Sequence, residues 1–504
     1  MLTTLGLKRL NWTTPAKSQS RRKPDVACVT FSKLAWFTLL SAGCIRAGVK
    51  VEDKIPEGGP GETDITAADT DTAEVTGPDT DAPPDTALPC VAESFEPRAI
   101  LVDDQGFLVG GDVWQGGSNW RAVVARVGFD GHLDRSFGSD GLALVAFPQS
   151  GAESTYDTVR SLARDSGGGI MVGAEANWSY PANLHAADGM ALIDATGMPD
   201  ARFGDGGVVV TEWPDQPLEP SYRLSAVSHL FQRPEGWLTL SIDGIGPPTY
   251  HAVRASRHSV SGALDTTFAD GSQVGAVQML DDGIVPDFAI ADEDGVVFGG
   301  SGGAGGWPVM RMTWNGLLDA GFGEGGRLTR PESRVTGRRV DLTAGIEDND
   351  AFILGGIAVT PNGTTLLFER RDRHSGAVDR SFGTAGSLSV DVPLSEHGLT
   401  SIHGLGRGSD GALYVYLGYP RPDSSDQFYG WKTMIVKIQP NGRLDPNWND
   451  GGVLRLIGVD PDWNPRNVSQ SGRLVMAAGS VWVADYRAFP YVGPGCFVLD
   501  RVAP

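Results

Sequence analysis

Apolar residues in this chain come in short runs that alternate with polar ones, and the runs pair about tight turns. The first pair is AILVDDQGFLVGG (residues 99–111), followed by SLARDSGGGIMVGA, LFQRPEGWLTLS, AIADEDGVVFGG, GIEDNDAFILGG, LGRGSDGALYVYLG and VSQSGRLVMAAG. Period-two alternation about a Gly- or Asp-bearing turn predicts seven β-hairpins. Their turns fall at Gly106, Gly168, Gly236, Gly295, Asp350, Gly411 and Gly472. After each hairpin comes a further apolar run, such as AVVARVGFDG, GMALIDATG, WPVMRMTWNG or KTMIVKIQPNG, and then a short one, such as LALVAF, VVVTEW or VLRLIG. That makes about four strands per unit. No stretch carries a helical period of useful length.

Between the third and fourth runs lies a longer motif, present six times: GHLDRSFGSDG from Gly131, GMPDARFGDGG from Gly197, GALDTTFADGS from Gly262, GLLDAGFGEGG from Gly316, GAVDRSFGTAG from Gly376 and GRLDPNWNDGG from Gly442. Each keeps an Asp three residues after its Gly and an aromatic three further on: Asp134/Phe137, Asp200/Phe203, Asp265/Phe268, Asp319/Phe322, Asp379/Phe382 and Asp445/Trp448. A period of this length marks an array or closed ring of small units that cannot bury an apolar face alone.

The motif resembles the delta-60 repeat, G-x-L-D-x-x-F-G-x-x-G, of bacterial secreted and surface proteins, and the resemblance covers most of residues 95–504. It implies a β-propeller-like scaffold and no particular activity. With seven hairpins, the expected fold is all-β: a single propeller of seven four-stranded blades over residues 90–504, the first blade short of a strand. The repeated Asp reads as a structural turn residue that accepts backbone N–H groups. The aromatic reads as a wedge between units. Six identical sites around a ring argue for scaffold rather than catalysis.

The first 44 residues read as an export signal. Seven Lys and Arg precede a short apolar core, Leu34 to Leu40, and Ser41-Ala42-Gly43-Cys44 closes it. The run is too short to span a bilayer. Its end resembles a bacterial lipobox, although Ser41 stands where that pattern usually has Leu, and the resemblance implies lipidation at Cys44. The expected location is the outer membrane or surface of a Gram-negative bacterium, with simple secretion as the alternative. Residues 45–89 are rich in Asp, Thr and Pro and poor in large apolar side chains, so they read as a disordered acidic tether.

The whole chain carries a net charge of −21; without residues 1–44, which hold seven basic residues and one acidic residue, it is −27. Such a chain repels phosphate backbones, and nucleic acid is excluded as a partner. Only Cys90 and Cys496 remain in the folded part, at opposite ends of the repeats. In a ring those ends are neighbours, so a Cys90–Cys496 disulfide is expected, the alternative being two unrelated buried thiols.

The eight histidines occupy no common repeat position and show no H-x-x-x-H or H-E-x-x-H spacing. No nucleophile elbow or phosphate-binding glycine loop is present. The sequence therefore points to no cofactor, metal or catalytic set. The favoured function is a lipid-tethered module, not an enzyme, that binds a protein or glycan. The second reading is a propeller hydrolase or oxidoreductase with its site in the central channel, which would need polar residues converging from several blades.

Overall fold

The computed structural model describes residues 92–502, apart from 116–118, 149–153, 181–182, 214–222, 246–249, 272–275, 279–283, 303–307, 329–340, 361–362, 393–400, 421–430, 457–472 and 488–495. The proposed signal, the tether, Cys44 and Cys90 lie outside the described residues.

The fold is all-β and propeller-like, with one helical turn at Phe268–Gly271. Unit 1 is an antiparallel meander of Phe95–Val102, Gly106–Trp114, Trp120–Gly128 and Leu142–Val145. Unit 2 runs through Ser154–Arg164, Ile170–Tyr180, Asn183–Ile193 and Val208–Thr211. Unit 3 is Arg223–Arg233, Gly236–Ile245, Tyr250–Ser259 and Ala276–Gln278. Unit 4 shows three strands among the described residues, Ile284–Ala291, Gly295–Gly302 and Val309–Thr313. Unit 5 is Asp341–Asp348, Ala351–Thr360, Gly363–Asp372 and Ser387–Val392, and unit 6 is Ser401–Arg407, Leu413–Pro420, Trp431–Ile438 and Val453–Leu456.

Unit 7 corrects the expected strand assignment. Its hairpin joins Arg473–Ala477 to Ser480–Arg487, so RLVMA is a first strand and not a second, and the turn sits at Ala478-Gly479 instead of Gly472. Both turn residues have positive φ, 48° and 72°. The Ser-Gly pair before Arg473 mimicked the turn signal of the other units, and Ala478 concealed the real one because alanine rarely adopts this conformation.

Unit 7, not unit 1, lacks its own outer strand. Cys496–Val502 is its third strand, and the fourth is Ala92–Glu93 from the other end of the chain, with Ala92 opposite Phe497 and Glu93 opposite Cys496. Phe95 then enters unit 1 and packs edge-on against Phe497, ring centroids 5.1 Å apart. The ends of the chain are thus sewn together by backbone hydrogen bonds and a buried aromatic pair.

The core lies between units. Seven apolar clusters occur among the described residues, and each is shared by two consecutive units, the last by units 7 and 1. In strand Trp120–Gly128, Val123, Ala125 and Val127 face unit 7 while Ala122 and Val124 face unit 2. Both sheet faces are covered, which is why the middle strands read as continuous apolar runs rather than clean alternations. The first strands of consecutive units touch one another, and that of unit 1 touches that of unit 7, so the first strands surround a common axis.

Candidate functional site

The six repeated Asp residues build turns. Oδ1 of Asp134 accepts the Ser136 N–H at 3.0 Å and the Ser136 hydroxyl at 2.6 Å. The same bond, to the amide two residues on, recurs at Asp200, Asp265, Asp319, Asp379 and Asp445. The bonds to Ser136 and Thr267 hold the carboxyls of Asp134 and Asp265 below the usual range, Asp265 at about 2. Phe137, Phe203, Phe268 and Phe322 are buried against the glycine that opens the next copy, Trp448 of the last copy is buried too, and Phe382 is partly buried. A Cβ on Gly316 would lie 2.5 Å from the Phe268 ring, and φ there is +81°. The motif glycine is therefore required twice over, by conformation and by the close approach of the preceding unit.

A partner of the repeated Asp escaped the sequence reading. Eight or nine residues before five of the six Asp stands a cation: Arg126, Arg257, Arg311, Arg370 and Lys437. Arg257 donates to Asp265 at 2.7 Å, Arg311 pairs with Asp319 at 2.9 Å, Lys437 with Asp445 at 3.3 Å, and Arg370 with Asp379. These residues tie the third strand to the motif. They do not converge on one site, and neither do the motif aspartates.

What does converge lies on the first strands. In six units the register of the first hairpin shifts at one place, leaving one extra residue in the first strand: Arg98, Arg160, Ser228, Asp287, Thr343 and His403. A bulge interrupts the alternation, so its side chain need not join either inter-unit core. Arg473 holds the corresponding place at the start of the unit 7 hairpin. These residues feel one another. Arg473 is pushed down to about 10, first by burial and then by the like charges of Arg98 and Arg160, with Asp287 opposing. His229 and His403 are both pushed down to about 4, by burial first and then by Arg473, so both imidazoles are neutral at pH 7.

In units 1 and 2 the bulge arginine lies over a carboxylate of the second strand. Arg98 Nε donates to Asp112 Oδ1 at 3.4 Å, and its NH2 group pairs with Glu96 at 2.8 Å. Arg160 pairs with Glu175 at 2.7 Å, and the other Glu175 oxygen accepts the Asn177 amide at 2.5 Å. Asp485, next to the residue opposite Arg473, holds the same place in unit 7. In unit 6 the position falls on Gly418, whose Cβ would lie 2.2 Å from His403 Nε2. The bulge side chain of unit 6 therefore occupies the space that a second-strand side chain would fill.

Asp112 stands apart from the other buried carboxylates. Asp188 accepts Ser225, Ser241 and Trp213 at 2.6, 2.7 and 2.9 Å and is well satisfied. Asp112 is 0% exposed, and its Oδ2 has no hydrogen-bond partner among the described residues. Thr158 Oγ1, Arg160 Nε and Asn177 Oδ1 are buried and unpartnered in the same way. Burial raises the Asp112 carboxyl from 3.8 to about 6 against the pull of Arg98, and Tyr156 beside it is pushed up to about 12, chiefly by burial and then by Asp112. The arrangement can hold a proton up to about pH 6 next to a second carboxylate, Glu96, whose side chain is 20% exposed. Among the described residues no cluster of His, Cys, Asp and Glu fits a metal ion.

No sequence family model and no curated protein matches the chain. Similarity appears among solved structures. An exo-1,5-α-L-arabinanase from a bovine ruminal metagenomic library is 10% identical with a TM-score of 0.30, over 71% of this chain and 96% of that one. An endo-arabinase from Bacteroides thetaiotaomicron is 9% identical with a TM-score of 0.27, over 83% and 97%. A GH43 endo-arabinanase from Bacillus licheniformis is 12% identical with a TM-score of 0.27, over 54% and 91%. By name these proteins belong to the hydrolase reading, and against them the expectation of a binding module that is not an enzyme is withdrawn. Scores this low carry no argument about chemistry, which rests on the chain's own residues. The statement that no polar set converges from several units is also corrected: the bulge residues form one. Their spacing from the hairpin turn is regular, but their identities differ from unit to unit, so no repeated letter exposed them.

Proposed function

We propose that residues 90–504 are a seven-bladed β-propeller of delta-60-like repeats, and that its inner face is the site of a hydrolase. The observation that carries the catalytic part is Asp112: a carboxyl held at about 6, with a free Oδ2, sharing Arg98 with Glu96 directly across the strand pair. Two carboxyl groups in unlike surroundings suit acid–base hydrolysis of a glycosidic bond, one supplying the proton to the leaving oxygen and the other acting on the sugar carbon or on water. Asp112 is the proton donor in this reading, and Glu96, partly exposed, is the nucleophile or base.

The test uses purified protein against aryl glycosides, arabinan, xylan, polygalacturonate and heparin. Hydrolysis is expected to fall as pH rises above about 6, and Asp112→Asn and Glu96→Gln are each expected to lower kcat by about 100-fold or more. Stability supplies a second readout. The folded-state carboxyl lies above its ordinary value, so its contribution is full below 3.8 and is lost as pH rises through about 6. Asp112→Asn should abolish that slope. A wild type that cuts none of these substrates, or variants that cut as wild type does, would rule the assignment out.

Export and tethering belong to the same proposal. Cys44→Ser should abolish labelling by a radioactive fatty acid and release the protein from membranes. Peptide mapping of the same exported material shows whether Cys90 and Cys496 are joined. Wild type without label, together with a variant that stays membrane-bound, would count against the anchor.

A further inference from the structure

The first strands differ in charge around the axis. Units 7, 1 and 2 are consecutive, because Ala92–Glu93 pairs with Cys496–Val502 of unit 7, and each first strand carries an arginine: Arg98 and Arg160 at the bulges, and Arg473 opposite Ala484 at the start of the unit 7 hairpin. The bulge positions of units 3, 4 and 6 carry Ser228, Asp287 and His403. A chain of net charge −21 thus gathers three guanidinium groups on one arc of its inner wall. Arginine is the side chain whose planar fork matches an oxyanion.

We infer that this arc is a binding subsite for an oxyanion of the ligand, the carboxylate or sulfate of an acidic saccharide, and that it sets the substrate class of the site proposed above. The inference deepens that reading and rests on the inner face being where the ligand binds. Three observations support it. Glu96 and Asp112 hold Arg98, and Glu175 holds Arg160, so two of the forks are positioned in advance. Arg160 Nε is buried with no partner among the described residues. Arg98 and Arg160 both act on Arg473 as like charges, so the three guanidinium groups lie close enough to engage one anion together. The neutral His229 and His403 add no positive charge to it at pH 7.

Calorimetric titration with three probes tests this: tetragalacturonate, a heparin tetrasaccharide and neutral xylotetraose. One of the two anionic probes should bind, more weakly as salt rises, and its identity tells carboxylate from sulfate. Arg473→Gln and Arg160→Gln should each weaken that binding about tenfold or more, as expected for loss of charge-assisted hydrogen bonds. Arg473→Lys should fall between Arg473→Gln and wild type, and Arg135→Gln, on the exposed rim, should bind as wild type. Binding of neither anionic probe, equal binding of the neutral one, or folded arginine variants that bind as wild type would overturn the inference. Binding without cleavage leaves the arc standing and sinks the hydrolase. Cleavage of an anionic saccharide by Arg473→Gln at the wild-type rate does the reverse.

Discussion

Replacing Arg311 with Ala is expected to destabilise the protein by about 3–5 kcal/mol, the range for removing one partner of a buried ion pair. The side chain is 1% exposed and joins three elements. Its NH1 group pairs with Asp292 of the unit 4 hairpin turn at 2.9 Å, its Nε with Asp319 of the repeated motif at 2.9 Å, and NH1 donates to the Arg373 carbonyl of unit 5 at 2.5 Å. Removal leaves two carboxylates facing a space that has lost its only nearby cation among these pairs. Because the cost comes from uncompensated charge, Arg311→Met alone should be nearly as damaging. Adding Asp292→Asn and Asp319→Asn to it should restore part of the loss, since Asn can still close both turns. Denaturant unfolding measures all three. A loss below about 1 kcal/mol for Arg311→Ala would show that the tie is not structural.

The seam gives the second large effect. Phe95 is fully buried against Phe497, and the segment before it completes unit 7, so Phe95→Ala should cost about 3–5 kcal/mol, the usual range for emptying a core phenylalanine site. A chain beginning at Pro97 should lose more, because the hydrogen bonds of Ala92–Glu93 to Cys496–Val502 go with it. The damage should be local at first. Limited proteolysis is expected to cut within Cys496–Val502, whose outer edge is then bare, before it cuts the middle units. Equal melting temperatures for the truncated and full-length proteins would mean that closure rests on side-chain packing alone.

Hairpins and the motif were legible because their chemistry is local. A turn residue, an alternation and an Asp that bonds the amide two residues on all act within a dozen positions, so the hairpins and the turn at Asp134 and its counterparts can be read from letters. Unit 7 was misread by one strand because Ala478 took a conformation that its letter does not announce. The outer strand of that unit was misread because its partner lies some 400 residues away along the chain.

The candidate site was not legible for a different reason. Arg98, Arg160 and Arg473 are scattered in sequence and differ from Asp287 and His403 at the same place in other units, so no repeat of identity marks them. A single extra residue in the first strands of units 1 and 2 singles out Arg98 and Arg160, and a bulge is visible only once two strands have paired. By itself the sequence determined the local hairpins and their motif, because those depend on backbone geometry over short spans. Tertiary structure alone decided which strand pairs with Cys496–Val502, which carboxylate is buried deeply enough to be raised to about 6, and which arginines share one wall. Desolvation and charge–charge interaction depend on distance through space, and the chain order does not contain those distances.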